Sequence, residues 1–315
     1  MPQRRIACSL ALSGLLALCA CGGGDGATPA PVDGLDTVTL PGYPHSIDVY
    51  GVDDADKAVV ILHGLGDHNY GIAHALGLNG NDGPPSEASV DFARLRARKI
   101  MAVLPQGQAI GANAYTWDNH VMRSGEDDVA FLEALADYIR QRYGVSKVYL
   151  MGHSNGGMMA NRFWCESPQT FDGYVAIAGP ASEFYLDHAC APSVAQPYYG
   201  IIGNSDQVLG VDGDWAAATW TVTPLLVQAS PPGSWVDPTL IGEWQVHQRH
   251  ARLACGATPT LLQAARSGNV DTWTDCDGRL KVQRVFTGEH KIASLESAAG
   301  FSLFDAAADF IDGLP

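Results

Sequence analysis

Buried strands alternating with amphipathic helices predict an α/β chain: a doubly wound, mostly parallel sheet with helices on both faces. Two observations carry that expectation. The apolar runs Ala58–Leu62, Ile100–Leu104, Val148–Met151, Tyr174–Ala178 and Tyr198–Ile202 lack the polar alternation of a half-wet sheet and suit strands covered on both faces. Helical patterns stand between them, clearest over 124–143. There Glu126, Asp127 and Asp128 fill the first turn, Arg140 and Arg142 the last, and Gly144 follows the end, as the helix dipole and a left-handed cap require.

At 315 residues, 46% hydrophobic and 17% charged, the chain has enough apolar mass for one sizeable domain. The formal net charge of −15 argues against nucleic acid, which needs a basic face. It also repels anionic polymers, so a neutral substrate is expected.

In chain order, Arg4 and Arg5 precede an apolar stretch, Ile6–Leu18, too short to span a bilayer. That is the build of a signal peptide over residues 1–20. Leu18-Cys19-Ala20-Cys21 resembles the lipobox of bacterial lipoproteins. The resemblance implies lipidation of Cys21 and an exported protein whose only membrane contact is that N-terminal anchor. Cleavage after Ala20 without lipidation leaves a secreted protein. Removing Arg4 and Arg5 takes the charge from −15 to −17.

Residues 21–36 are rich in Gly, Pro, Ala and Asp and read as a tether. The folded domain is expected over 37–315. Thr37–Leu40 and Ser46–Tyr50 alternate like strands joined by the Pro41-Gly42 turn. The run ending at Leu62 leads into His63-Gly64-Leu65-Gly66-Asp67. Residues 69–90 read as a long loop with one short helix, Phe92–Arg98 as a basic helix, and Ile100–Leu104 as a strand stopped by Pro105. Over 124–143 the apolar stripe is Val129, Leu132, Ala136, Ile139 and Tyr143. Residues 207–242 carry Trp215, Trp220, Trp235 and several prolines. They form either a lid or substrate platform or an ordinary surface insertion. Gln245–Leu253 is expected as a helix, Lys281–Phe286 as the last strand and Gly300–Ile311 as the closing helix.

Of seven cysteines, Cys8, Cys19 and Cys21 belong to the export signal. Cys165, Cys190, Cys255 and Cys276 remain, an even number in an oxidising compartment. Pairing nearest neighbours closes two short loops, and all three connectivities stay open. No Cys-x-x-Cys or His-x-x-x-His pair marks a metal site.

The chemistry centres on Gly152-His153-Ser154-Asn155-Gly156. An apolar strand leads in and a helical run leads out, the context that makes Gly-x-Ser-x-Gly a nucleophile elbow and the sheet an α/β-hydrolase fold. A serine hydroxyl needs a base, and the base an orienting carboxylate. In this fold they follow the serine in the order acid, then histidine. Asp206, just past the Tyr198–Ile202 strand, fits the acid, with Asp212 and Asp214 as alternatives. His290, after the last strand, fits the base better than His247 or His250, which fall on a helix. The oxyanion donors are expected at the N–H of Asn155 and of Leu65. His63 and His153 border the substrate site, His63 with its ring fixing its turn and His153 packing at the elbow. The chemistry requires no cofactor.

His63-Gly64, Pro105-Gln106-Gly107, Trp117-Asp118, Asp127-Asp128-Val129-Ala130-Phe131, Ser154-Asn155-Gly156-Gly157-Met158-Met159 and Gly288-x-His290 occur in that order. Over roughly residues 40–310 this series resembles the esterase family of polyhydroxybutyrate depolymerases and feruloyl or acetylxylan esterases, which has lipoprotein members. The resemblance implies an exported serine carboxylic-ester hydrolase with Ser154 as nucleophile, Asp206 as acid and His290 as base. The substrate would be a polyester oligomer, first of all a 3-hydroxyalkanoate, or an esterified polysaccharide. It further implies a Cys255–Cys276 disulfide near the histidine and a cleft tryptophan at Trp117. The chain departs from the pattern at Glu289-His290-Lys291-Ile292, where relatives carry glycines and Thr-Trp-Pro. The rivals are a non-catalytic surface-binding lipoprotein and a serine peptidase.

Overall fold

The structure is a computed structural model and describes residues 33–111, 114–211 and 213–314. The expected signal peptide, Cys21, most of the tether and the alternative acid Asp212 lie outside the described residues.

The chain opens with β1 (Gly34–Thr39), β2 (Ser46–Gly51) and β3 (Lys57–Leu62), then α1 (Asn69–Ala75), α2 (Phe92–Arg98) and β4 (Ile100–Pro105). A small ribbon, β5 (Gln108–Ala109) and β6 (Tyr115–Thr116), precedes α3 (Asp128–Tyr143), β7 (Lys147–His153) and α4 (Asn155–Glu166). Next come β8 (Tyr174–Ile177), α5 (Phe184–Asp187) and β9 (Tyr198–Gly203). An excursion holds β10 (Thr219–Thr221), α6 (Pro224–Ala229) and β11 (Thr239–Ile241). The chain closes with α7 (Glu243–Cys255), β12 (Ala265–Ser267), β13 (Val270–Asp275), β14 (Leu280–Val285), α8 (Ile292–Ala299) and α9 (Leu303–Asp312).

Among the described residues the main sheet runs β1-β2-β4-β3-β7-β8-β9-β14-β13-β12. Its centre, β4 through β14, is parallel, and each edge is an antiparallel pair. Period-two side-chain direction explains the solid apolar strands. Val148 and Leu150 of β7 enter one core with Leu132 of α3, Phe163 of α4 and Val246 of α7. Tyr149 and Met151 enter the other with Ile72 of α1, Leu95 of α2 and Phe304 of α9. Both faces are covered, which gives the α/β-hydrolase fold with its chain reversal beside β3. In such sheets the crevice lies at the carboxyl ends of the strands near that reversal.

Three expectations are corrected, and one strand is added. The tether stops earlier, because Gly34–Asp36 already pair with β2 and the Leu35 N–H donates to the Glu87 carboxylate at 2.6 Å. Helix α3 starts at Asp128, where the Asp127 side chain accepts from the Ala130 N–H and caps it, leaving Glu126 outside. Gly300 does not open the last helix. At φ 78° it ends α8, and Ser302 caps α9 by accepting from the Asp305 N–H. The segment before β14 holds an antiparallel partner, β13, whose buried Asp271 takes ion pairs from Arg266 and Arg284.

The disulfides join nearest neighbours. Cys165–Cys190 ties the end of α4 to the approach of β9, and Cys255–Cys276 ties the end of α7 to the β13–β14 turn. Their sequence separations are 25 and 21, so each should contribute about 3 kcal/mol by constraining the unfolded chain. Replacing Cys255 and Cys276 by alanine should lower the unfolding free energy by that amount and move the denaturant midpoint down accordingly, the same pair in wild type under reductant serving as control. An unchanged midpoint would remove the disulfide from the account of stability.

Candidate active site

The elbow is built by absence of side chains. Ser154 sits at φ 54°, ψ −118°, a region that costs a non-glycine residue about 1–3 kcal/mol. A Cβ on Gly152 would collide with the Gly156 carbonyl, and one on Gly156 would lie 2.5 Å from the Leu62 carbonyl oxygen. Helix α4 therefore starts directly against β3 and β7. The Ser154 N–H donates to the Ile177 carbonyl at 2.8 Å, and the Ser154 carbonyl accepts from the Met158 N–H. These bonds hold the strained residue with its hydroxyl at the helix start.

The sheet brings Ser154, Asp206 and His290 together from the ends of β7, β9 and β14. His290 Nε2 lies 2.8 Å from Ser154 Oγ, and His290 Nδ1 lies 2.7 Å from Asp206 Oδ2. Asp206 is wholly buried, and its Oδ1 accepts from the Leu209 N–H at 3.0 Å. With both carboxylate oxygens engaged as acceptors, Nδ1 carries the imidazole proton and Nε2 is left to accept from the serine hydroxyl. The loops bearing acid and histidine are fastened to each other. Ser205 N–H donates to the Gly288 carbonyl, and Thr287 N–H to Asn204 Oδ1. Asp214 bonds within its own loop. His247 pairs with Asp275, and His250 stacks on Trp164, both buried in α7.

His153 sets the height of the histidine loop. Its Nε2 is 2.9 Å from the His290 carbonyl oxygen. Burial first, and then the neighbouring imidazole of His290, lower its pKa to about 4. It is neutral at neutral pH, so this nitrogen can donate to that carbonyl.

Trp117 and His63, expected at the substrate, are corrected: both are fully buried and neither reaches the cavity at Ser154. Trp117 N–H donates to Asn155 Oδ1 at 2.8 Å, and its indole N–H to the His63 carbonyl. His63 Nε2 accepts from the Gly107 N–H at 2.9 Å, so its Nδ1 donates to the Gly64 carbonyl at 2.7 Å. These rings fix the turn that carries Leu65. Asn119, which sequence reasoning missed, donates from its side chain to the Asn155 carbonyl at 2.8 Å. Its place two residues after Trp117 was the available signal. No acceptor among the described residues takes the Leu65 or Asn155 N–H, and both residues line the cavity at Ser154.

That cavity is apolar and small, with about 20 Å³ of space for water. Val121, Met122 and Met158 form its floor, while Val208, Leu209, Val222, Leu226 and Trp235 of the 207–242 segment form its wall. Trp235 is held by a bridge to Met122 and the Val236 N–H bond to Val121. Trp215 and Trp220 turn away into the core, Trp215 stacked on Trp273.

Comparison with known proteins agrees with the architecture. A family profile described as the alpha/beta hydrolase fold matches residues 57–198. A protein named "Putative esterase NocK", from Nocardia uniformis subsp. tsuyamanensis, is 29% identical over 160 residues, 49% of this chain and 41% of that protein. The chain thus spans about two fifths of that relative's length. Among solved structures, an acetyl xylan esterase from Aspergillus awamori superposes with a TM-score of 0.52 at 12% identity, over 88% of this chain and 98% of the other. A carboxylesterase from Mesorhizobium loti gives 0.50 at 14% identity, over 88% and 99%. The Pyrococcus furiosus esterase Pf2001 gives 0.50 at 13% identity, over 90% and 98%. At these identities the superpositions show a shared fold.

Burial lowers the pKa of His63 from 6.5 to about 4. The unfolded chain therefore binds a proton that the folded one refuses between those values. The stability from this group is full above pH 6.5 and lost as pH falls toward 4. His63→Gln should be less stable at pH 7.5 yet decline less steeply across that window, by up to about 1.4 kcal/mol per pH unit. Urea denaturation at stepped pH measures both slopes; equal slopes would show that His63 is not the group titrating.

Proposed function

We propose that this protein is an exported serine carboxylic-ester hydrolase, lipid-anchored through Cys21, that works through an acyl-enzyme on Ser154. The observation that carries the reading is the continuous relay Ser154–His290–Asp206 at 2.8 and 2.7 Å. Ser154 Oγ attacks the ester carbonyl while His290 Nε2 takes its proton. Buried Asp206 steadies the imidazolium that forms. The unengaged N–H groups of Leu65 and Asn155 receive the tetrahedral oxyanion. His290 then protonates the departing alcohol, and a water deacylates the serine by the same route.

The lining of the cavity bears on the acyl group. Apart from Ser154 and Asn155 it is made of aliphatic, methionine and tryptophan side chains, which suit a short apolar acyl chain. Oligomers of a short 3-hydroxyalkanoate, of the polyhydroxybutyrate kind, are the first substrate class. Acetyl esters of carbohydrate are the second reading, favoured by the polar grooves beside His290 and His153.

A fluorophosphonate should label wild type and not Ser154→Ala. That variant should lose about 10⁴- to 10⁶-fold in kcat while keeping its unfolding midpoint. Release of 3-hydroxybutyrate from its oligomers, of acetate from acetylated xylan and of ferulate from methyl ferulate ranks the substrates. Retained turnover in the alanine variant would end the acyl-enzyme reading; absence of labelling and of turnover in wild type would leave a binding protein on a hydrolase fold.

A further inference from the structure

We infer that the strip Tyr115–Asn119 is a strut that sets the distance between the two oxyanion donors, with Asn119 and the Trp117 indole as its positioning groups. The inference rests on the serine-hydrolase reading above and concerns how its oxyanion hole keeps its shape.

A strut is needed because the donors stand after different strands. An oxyanion hole works when both N–H groups lie about 2.7–3.1 Å from one oxygen, so their mutual spacing is part of the catalyst. Leu65 follows β3 and Asn155 follows β7. The ladder between these strands ends at Leu62 opposite Gly152, three residues short of either donor. Beyond that point the sheet does not hold the two turns in register.

The strip crosses from one turn to the other. On the Leu65 side, the Tyr115 carbonyl accepts from the Gly66 N–H at 2.8 Å, and the Trp117 indole N–H donates to the His63 carbonyl at 3.2 Å. Leu65 is thus flanked by two held residues. On the Asn155 side, the Trp117 main chain takes the Asn155 side chain at both ends. Its N–H donates to Oδ1 at 2.8 Å, and its carbonyl accepts from Nδ2 at 3.4 Å. Asn119 Nδ2 completes the grip by donating to the Asn155 carbonyl at 2.8 Å.

Asn119 is built for this place. It is wholly buried, and its Oδ1 accepts from the N–H groups of Val121 and Met122 at 3.1 and 3.0 Å. The reverse orientation would set an amino group against two donors and an oxygen against the Asn155 carbonyl, so only one orientation satisfies the amide. The strip is also fastened from behind. Asp118 N–H donates to the buried Asp128 carboxylate at 2.7 Å, and Arg162 of α4 donates to the Asp118 carbonyl at 2.7 Å. Neither Trp117 nor Asn119 lines the cavity at Ser154. They act on the reaction through the donors they hold.

The test separates position from fold. Asn119→Ser keeps a hydroxyl that caps the turn at Val121 and Met122 more weakly, but its side chain is too short to reach Asn155. Trp117→Phe keeps an aromatic ring and loses the indole N–H. Active sites are counted with a fluorophosphonate. The readouts are kcat per labelled site and KM for a short p-nitrophenyl ester, and Ki for a trifluoromethyl ketone, whose serine adduct carries an oxyanion. Asn119→Ser should lose about ten- to hundredfold in kcat per labelled site, less than removing a donor outright. Its KM should rise no more than about twofold, and Ki should rise by the factor by which kcat/KM falls. Trp117→Phe should move kcat and Ki in the same directions by less. A residue needed only for folding would cut the number of labelled sites and leave each at wild-type kcat. That result overturns the strut, as does a higher KM at unchanged kcat or a loss of kcat at unchanged Ki. If one variant fails to fold, the other decides alone. Absence of labelling and of turnover in wild type would instead sink the underlying serine-hydrolase reading.

Discussion

Everything at the site depends on one backbone constraint: Ser154 is held in a conformation that costs a non-glycine residue energy. Gly152 and Gly156 touch across the turn, and Gly156 rests against the Leu62 carbonyl. No side chain fits at either place. The strain persists because the surroundings over-determine it. The strand supplies Ile177 as acceptor, the helix supplies Met158 as donor, and Trp117 and Asn119 clasp Asn155 from outside. Two rings first expected in the cleft, those of Trp117 and His63, belong to that clasp. The rings that press the elbow into place lie behind it, and the residues that line the cavity at Ser154 lie in front.

The difference between back and front also decides what could be read from the chain. Strand positions were legible because burial on both faces leaves solid apolar runs, as in β3, β4 and β7. Asp206 and His290 were legible because a parallel sheet aligns the carboxyl ends of its strands, so an acid or histidine just past a strand has one place to go. What could not be read was set by contacts distant in sequence. Trp117 has the composition of a ligand platform and the environment of a core residue; only the approach of Asn155, 38 positions away, decides between them. β13 depends on such contacts too: its buried Asp271 is neutralised by Arg266 and Arg284. Helix α3 was placed too early because a run of acids fits a first turn anywhere along it, whereas the capping bond selects Asp127.

The site has two unlike approaches. One is narrow and aliphatic, walled in part by the segment between β9 and α7; the other is wider and polar, walled by the loops that carry Asp206 and His290. The histidine stands between them and is fixed on both flanks, by Asp206 through its ring and by His153 through its carbonyl. Because His153 stays neutral, that second tether introduces no charge beside an imidazole that, in the proposed reaction, itself becomes charged.

Leu209 joins the aliphatic wall to the relay. Its side chain lines the cavity at Ser154, and its N–H is the second hydrogen bond to Asp206. The lining of the cavity and the anchoring of the carboxylate that meets the imidazole therefore share one residue, so Leu209 cannot be replaced for the sake of one without touching the other.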